Sequence, residues 1–185
     1  MAKITWAFDP SHSELGFKIK HLMISNVSGS FADFTASVET ENDDFSAARI
    51  TASIQVASVT TNNKQRDEHL QNGDFFEADR FPEITFRSTK IEKQDDEQFI
   101  VHGDLTMKGI SKPVKLNVEY NGLAKDSYGN QKAGFTINAK IIRSEFGLNF
   151  NSVLDTGGVA LSDEVKIYGE VQLVKQVAEL AAATA

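Results

Sequence analysis

Cysteine is absent from this 185-residue sequence. No disulfide and no thiolate metal site can belong to its fold, which fits a reducing compartment. Proline is scarce, at three residues, and tryptophan occurs once. Clustered positive charge is missing as well. The formal net charge is −7, and the lysines stand singly among apolar residues. That pattern argues against nucleic acid, which needs grouped Lys and Arg, and against an electrostatic dock on an anionic membrane. No run approaches the roughly 18 apolar residues of a membrane span, so no transmembrane segment is expected. The opening "MAKITWAFDPSHS" has one Lys and no long apolar region. Read as given, it predicts a cytoplasmic protein, or a periplasmic one if a leader was trimmed.

Phenylalanine is what the chain has in quantity, thirteen residues. Phe carries a large apolar surface without a polar handle, which suits an interior or an oily cavity. Hydrophobic residues at 41% and charged residues at 24% place the chain among ordinary folded proteins rather than disordered ones. The length fits one domain, expected over residues 1–175, with an Ala-rich tail at 176–185.

Period two dominates. Ile4, Trp6 and Phe8 alternate with polar or small residues, as do Phe17, Ile19 and His21, then Phe34, Ala36 and Val38. Ile50 to Val56, Ile84 to Ser88, Phe99 to Met107, Val114 to Tyr120, Phe135 to Arg143 and Val165 to Leu173 follow the same rule. This predicts half-buried antiparallel strands. The polar clusters "TENDD", "EKQDDE" and "KDSYGN" are turns between neighbours, and "KGISKP" ends one strand so that Pro113 opens the next. Long strands joined by short turns predict an all-β, up-and-down antiparallel barrel, whose closure removes exposed edges. One segment, "TTNNKQRDEHLQNGDFF", reads instead as a short helix near residues 63–72, with Asn62 as cap and Gly73 as stop. It is polar nearly all round, so it belongs across a barrel end, with Arg66, His69 and Leu70 on one face.

A barrel of about eight strands is either filled by side chains or holds one small ligand. Small residues among large ones (Ala52, Gly103, Ala139, Gly169) serve either outcome, and the pattern leaves both open. His21, Ser88 and Arg143 fall in the apolar phase. A buried guanidinium needs a partner or water, and a cavity with one polar end supplies a reason for it. The competing explanations are a strand that has already ended at Arg143, a structural histidine at position 21, and a backbone-bonded serine at 88.

Catalytic signatures are weak. Asp155-Thr156-Gly157 resembles an aspartic-protease motif, but such sites need two carboxylates, so a turn before the last strand is the expectation. Asp9, Ser11 and His12 are adjacent in sequence, which does not assemble a triad. The four histidines have no zinc spacing, and no phosphate loop or nucleophile elbow is present.

The motifs "W-x-F-D-x-x-H-S-x-L-x-F-x-I-x-H", "V-x-G-x-F", "RDEHL", "FP-x-I-x-F", "GDLTMKGISKPV", "R-x-x-FGL" and "DEV-x-I" occur in that order from Trp6 to Val174. Together they resemble the YceI-like family of polyisoprenoid-binding proteins. The resemblance implies a lipocalin-like barrel with a long internal tunnel, a polyisoprenoid or other long-chain lipid as ligand rather than a cofactor, and no catalytic residues or metal. It carries a ligand-binding role onto Phe17, Ile19, His21, Phe86, Leu105, Arg143 and Phe146, with Phe75 and Phe76 bordering an opening. The inward positions Phe34, Phe135 and Ile137 join this set from the alternation. The resulting expectation is a lipid carrier or reservoir, with a homodimer possible on base rate alone. A solid interaction module and an enzyme acting on a held isoprenyl lipid are the alternatives.

Overall fold

The alternating segments form eleven strands in a computed structural model that describes residues 3–152, 154 and 159–176. They are β1 (Lys3–Phe8), β2 (Glu14–His21), β3 (Ser25–Phe31), β4 (Phe34–Glu41), β5 (Asp44–Gln55), β6 (Val59–Thr60), β7 (Glu83–Lys93), β8 (Gln98–Met107), β9 (Ile110–Lys125), β10 (Gln131–Ile142) and β11 (Leu161–Lys175). Every pairing is antiparallel, and β1 closes the sheet by pairing with β11. Three of the barrel's eight staves are broken, which reconciles eleven strands with eight. β1 and β2 both pair with β11, β1 pairs with β4, and β2 pairs with β3. β5 likewise continues past a 3-10 turn at Val56–Ser58 into β6, which pairs with β3. The Asp-Thr-Gly stretch and the Ala-rich tail lie outside the described residues.

The first break is chemically fixed. Pro10 opens a 3-10 turn over Pro10–His12, and Asp9 caps it by accepting from Ser11 N at 3.1 Å. Lys132 Nζ on β10 reaches the same carboxylate at 2.9 Å. Burial works to raise the Asp9 carboxyl, but hydrogen bonds from Lys132, Ser11 and His12 outweigh it and hold it well below the usual carboxylate range.

The helix α1 (Lys64–Gln71) forms where expected, shifted at its caps. Asn63, not Asn62, is the N-cap, its Oδ1 accepting from Arg66 N at 3.0 Å. Asn62 takes the left-handed φ of 61° that turns the chain into the helix, and Asn72 rather than Gly73 ends it. Pro113 lies inside β9, opposite Asp104, instead of opening the strand. Lys108 and Gly109, with φ of 53° and 76°, make a turn tight enough that pairing begins at Ile110.

The two barrel ends differ. At the end holding the β4–β5, β7–β8 and β9–β10 turns, Trp6 packs on Phe45 with ring centroids 5.0 Å apart, and Phe45 on Phe135 at 5.1 Å. Tyr120 joins them, 5.4 Å from Phe135. Trp6 is fully buried, and its Nε1 donates to Thr40 Oγ1 at 3.0 Å, so the one indole N–H of this floor is satisfied. The opposite end carries the β2–β3 hairpin, α1, the β8–β9 turn and the long β10–β11 connection. Leu22 and Met23 at that hairpin tip have φ of 53° and 62°. This is a conformation that asks for Asn-Gly and costs side-chain-bearing residues about 1–3 kcal/mol each.

Candidate ligand cavity

Above the aromatic floor the barrel is hollow. The cavity has a volume of about 560 Å³, within the range of roughly 300–1,000 Å³ typical of small-molecule sites. Its walls are mostly Phe, Ile, Leu and Val. On β11 the lining runs from Leu161 to Leu173, and its regular part from Val165 to Leu173 spans about 27 Å of strand. The floor residues Phe45 and Phe135 belong to the lining, and Trp6 behind them is fully buried, so packed aromatic rings bound the lumen at that end.

The small inward residues divide by role. Gly103 does not widen the lumen. A Cβ there would stand 2.4 Å from the Phe86 ring and 2.5 Å from the Arg87 carbonyl oxygen, so the glycine lets Phe86 lie against the wall. Gly29 does the same beneath Phe17, at 2.4 Å. Ala36, Ala48 and Ala52, by contrast, face the open space. Ser88 accepts from Ile50 N at 2.9 Å beside a bulge in β7, the backbone role open to it in the sequence.

The mouth gathers the polar groups. Phe17, Ile19, His21, Phe34, Phe75, Phe76, Phe86, Leu105, Phe135, Ile137 and Arg143 all line the cavity. Phe146 does not. It falls in the 3-10 turn Arg143–Phe146 after β10 has ended, where two-residue alternation no longer sets direction, and it is fully buried in the wall packing. Arg143 starts that same turn but is not solvated. Its Nε donates to Ser162 O at 2.9 Å, and its Nη1 to Leu148 O and Phe150 O at 2.6 and 2.9 Å. Burial pushes the guanidinium down, against the opposing pull of Asp163. These bonds pin the start of the β10–β11 connection against β11.

α1 spans the mouth. Arg66, His69 and Leu70 present one face to the cavity, as their spacing predicts. Asp67 Oδ1 accepts from Thr61 N and Oγ1 at 2.7 and 2.6 Å, while Arg66 Nε and Nη2 donate to Thr61 Oγ1 and O at 2.7 and 2.8 Å. The helix is thus clamped to the end of β6. His69 lies edge-on between Phe75 and Phe150, with centroids 5.0 and 4.9 Å away, and its Nε2 meets Asp74 Oδ2 at 2.9 Å.

Sequence reasoning missed Phe31, Phe45 and Phe150, all of which line the cavity. Phe45 is one residue out of phase with Ala48, Ile50, Ala52 and Ile54, so alternation discards it. Phe150 sits in irregular chain with no period to flag it. At the first kink, Ser11 Oγ and Asp9 Oδ2 approach the same His12 nitrogen, Nδ1, at 3.1 and 2.9 Å. A triad uses opposite ring nitrogens for these contacts, so this cluster is a turn and not a proton relay. Among the described residues no group of three or more His, Asp or Glu is placed to hold a metal.

The model of the YceI-like domain matches residues 6–173. The chain belongs to the YceI-like family. A UPF0312 protein of Staphylococcus aureus strain USA300 is 45% identical over 162 residues, covering 87% of this chain and 92% of that one. The Campylobacter jejuni YceI protein superposes with a TM-score of 0.74 at 38% identity, over 85% of this chain and 90% of that chain. BcnA of Burkholderia cenocepacia gives 0.76 at 25% identity, over 89% and 98%. A polyisoprenoid-binding domain from Saccharophagus degradans shares the fold at 13% identity, with a TM-score of 0.64 over 92% and 98%. This YceI-like chain is a closed eight-stranded barrel, and among its described residues no helix is long and apolar enough to cross a membrane.

Proposed function

We propose that the barrel binds one long-chain amphiphile, a polyisoprenoid lipid, tail-down in the lumen, and serves as its carrier or reservoir. The observation that carries this is the hollow itself: about 560 Å³ of apolar space over a closed aromatic floor, with His21, Arg66, His69 and Arg143 gathered at the other end. Each buried methylene contributes roughly 0.8 kcal/mol. A tail of ten such groups gains on the order of 8 kcal/mol before ordering costs, so few head-group contacts are required. The polyisoprenoid-binding domain that shares this fold supports the ligand class. The site is read as binding its ligand without transforming it, because Arg66 and Arg143 direct their donors at protein oxygens. Native mass spectrometry of protein purified from its own cells without detergent tests this. A bound prenyl lipid supports it. Empty protein that also refuses added prenyl alcohols contradicts it.

A further inference from the structure

The β2–β3 tip is out of character for a hairpin end. Leu22, Met23 and Ile24 are exposed together, Met23 at 63% and Ile24 at 84%, in a turn whose two left-handed residues would be better served by Asn-Gly. Folding gains nothing from apolar side chains placed there. Leu22 N donates to Ala160 O at 2.7 Å, which sets the tip beside Val159, and Phe150 and Ile142 are exposed at the same barrel end. The result is an apolar rim next to the cavity mouth.

Strand register adds a second feature that the sequence disguises. Lys140 pairs with Lys166, and Lys166 with Lys18, so three lysines stand in a row across the outer face of β10, β11 and β2. Lys20 lies one step closer to the tip on the same face. Glu164 is 4.0 Å from Lys140, and Asp163 is taken up by Ser144 N and Oγ at 3.0 and 2.6 Å. Glu145 follows in the turn after β10, and the other carboxylates of this barrel end, Asp67, Glu68 and Asp74 among them, belong to α1 and the segment after it. In a chain of net charge −7, four lysines thus share the side of the barrel that rises to the apolar rim.

We propose that the barrel docks mouth-first on an anionic lipid bilayer, with Leu22, Met23 and Ile24 entering the acyl boundary and Lys18, Lys20, Lys140 and Lys166 facing the head groups. An apolar tip with adjoining lysines is the pairing that interfacial binding uses. A second copy of the chain fits less well. A three-residue convex tip is far short of the roughly 800 Å² per partner of a stable interface, and two lysine rows would repel. The purpose of the dock rests on the carrier reading above, since it would bring the mouth to the ligand's source.

Flotation with phosphatidylcholine vesicles, with and without phosphatidylglycerol, tests the dock separately from the ligand. Wild-type protein floats with the anionic vesicles. The variant combining Leu22→Asn, Met23→Gly and Ile24→Ser supplies the residues the turn prefers, so it melts no lower than wild type. It loses vesicle affinity by about tenfold or more, and takes up detergent-presented prenyl alcohol as before. Lys18→Glu with Lys20→Glu removes the preference for anionic vesicles. Wild type that never floats, or a tip variant that floats equally well, overturns the dock. A tip variant that changes the mass in light scattering but not flotation also overturns it, in favour of self-association. Failure of wild type to take up prenyl alcohol would instead remove the ligand reading and leave the flotation result standing.

Discussion

The floor and the mouth of this barrel are built from the same strands by opposite rules. At the floor, Trp6, Phe45, Tyr120 and Phe135 interlock, and the only indole N–H is bonded inside. At the mouth, aromatic rings surround His69, a short polar helix is clamped through Thr61, and apolar side chains reach solvent at the hairpin tip. Filling one end gives the barrel a packed core of its own, to which a bound ligand adds stability by mass action. A solid barrel would need no such division, and an open tube would give up the closed aromatic end.

The contrast can be broken most severely at the floor. Trp6→Ala should cost about 3–5 kcal/mol, mostly from lost burial, since the Thr40 hydroxyl loses the bond it accepts but keeps its donation to Asn42 O; this is read as a lower midpoint in urea unfolding. Wall substitutions sharpen it. Ala139 is buried but does not line the cavity, so Ala139→Phe should overpack and cost about 1–3 kcal/mol. Ala52 faces the open space, so Ala52→Phe should change stability by less than about 1 kcal/mol while blocking prenyl binding in titration calorimetry.

A smaller effect tests the kink that lets one stave serve both halves. The Asp9 carboxyl is held below its ordinary value by Lys132, Ser11 and His12, against burial. Its contribution is therefore complete above the unfolded pKa of about 4 and is lost as pH falls through the lower folded value. Asp9→Asn should lower Tm at neutral pH by about 2–4 °C and flatten the loss of stability below pH ~4, seen by thermal scans across pH. Smallest is Asn63→Ala at the cap of α1. It should cost about 0.5–1 kcal/mol and speed ligand release by loosening the helix over the mouth, measured by stopped-flow displacement.

Much of the wall was legible because alternation is a local signal. Phe17 and Ile19, or Ile84 and Phe86, declare their face within a few residues. The polar helix was legible too, since Asn, Gly and a charged run mark it, although its cap slipped by one residue where two asparagines stand together. What was not legible depends on register or on broken period. Phe45 lost its phase, Phe146 and Phe150 follow the end of a strand, and the meeting of Lys18, Lys140 and Lys166 is invisible until three distant segments are laid side by side. Whether Gly103 opened or closed the lumen could not be read from its size either, because the answer lies in where the Phe86 ring rests.

The central claim is that the lumen is hollow above a filled floor and receives an apolar tail. A crystal structure of the protein taken from its own cells without detergent tests it most directly. The account predicts continuous elongated density running from beside His69 and Phe150 down to Phe135. A lumen occupied from mouth to floor by the chain's own side chains would contradict it.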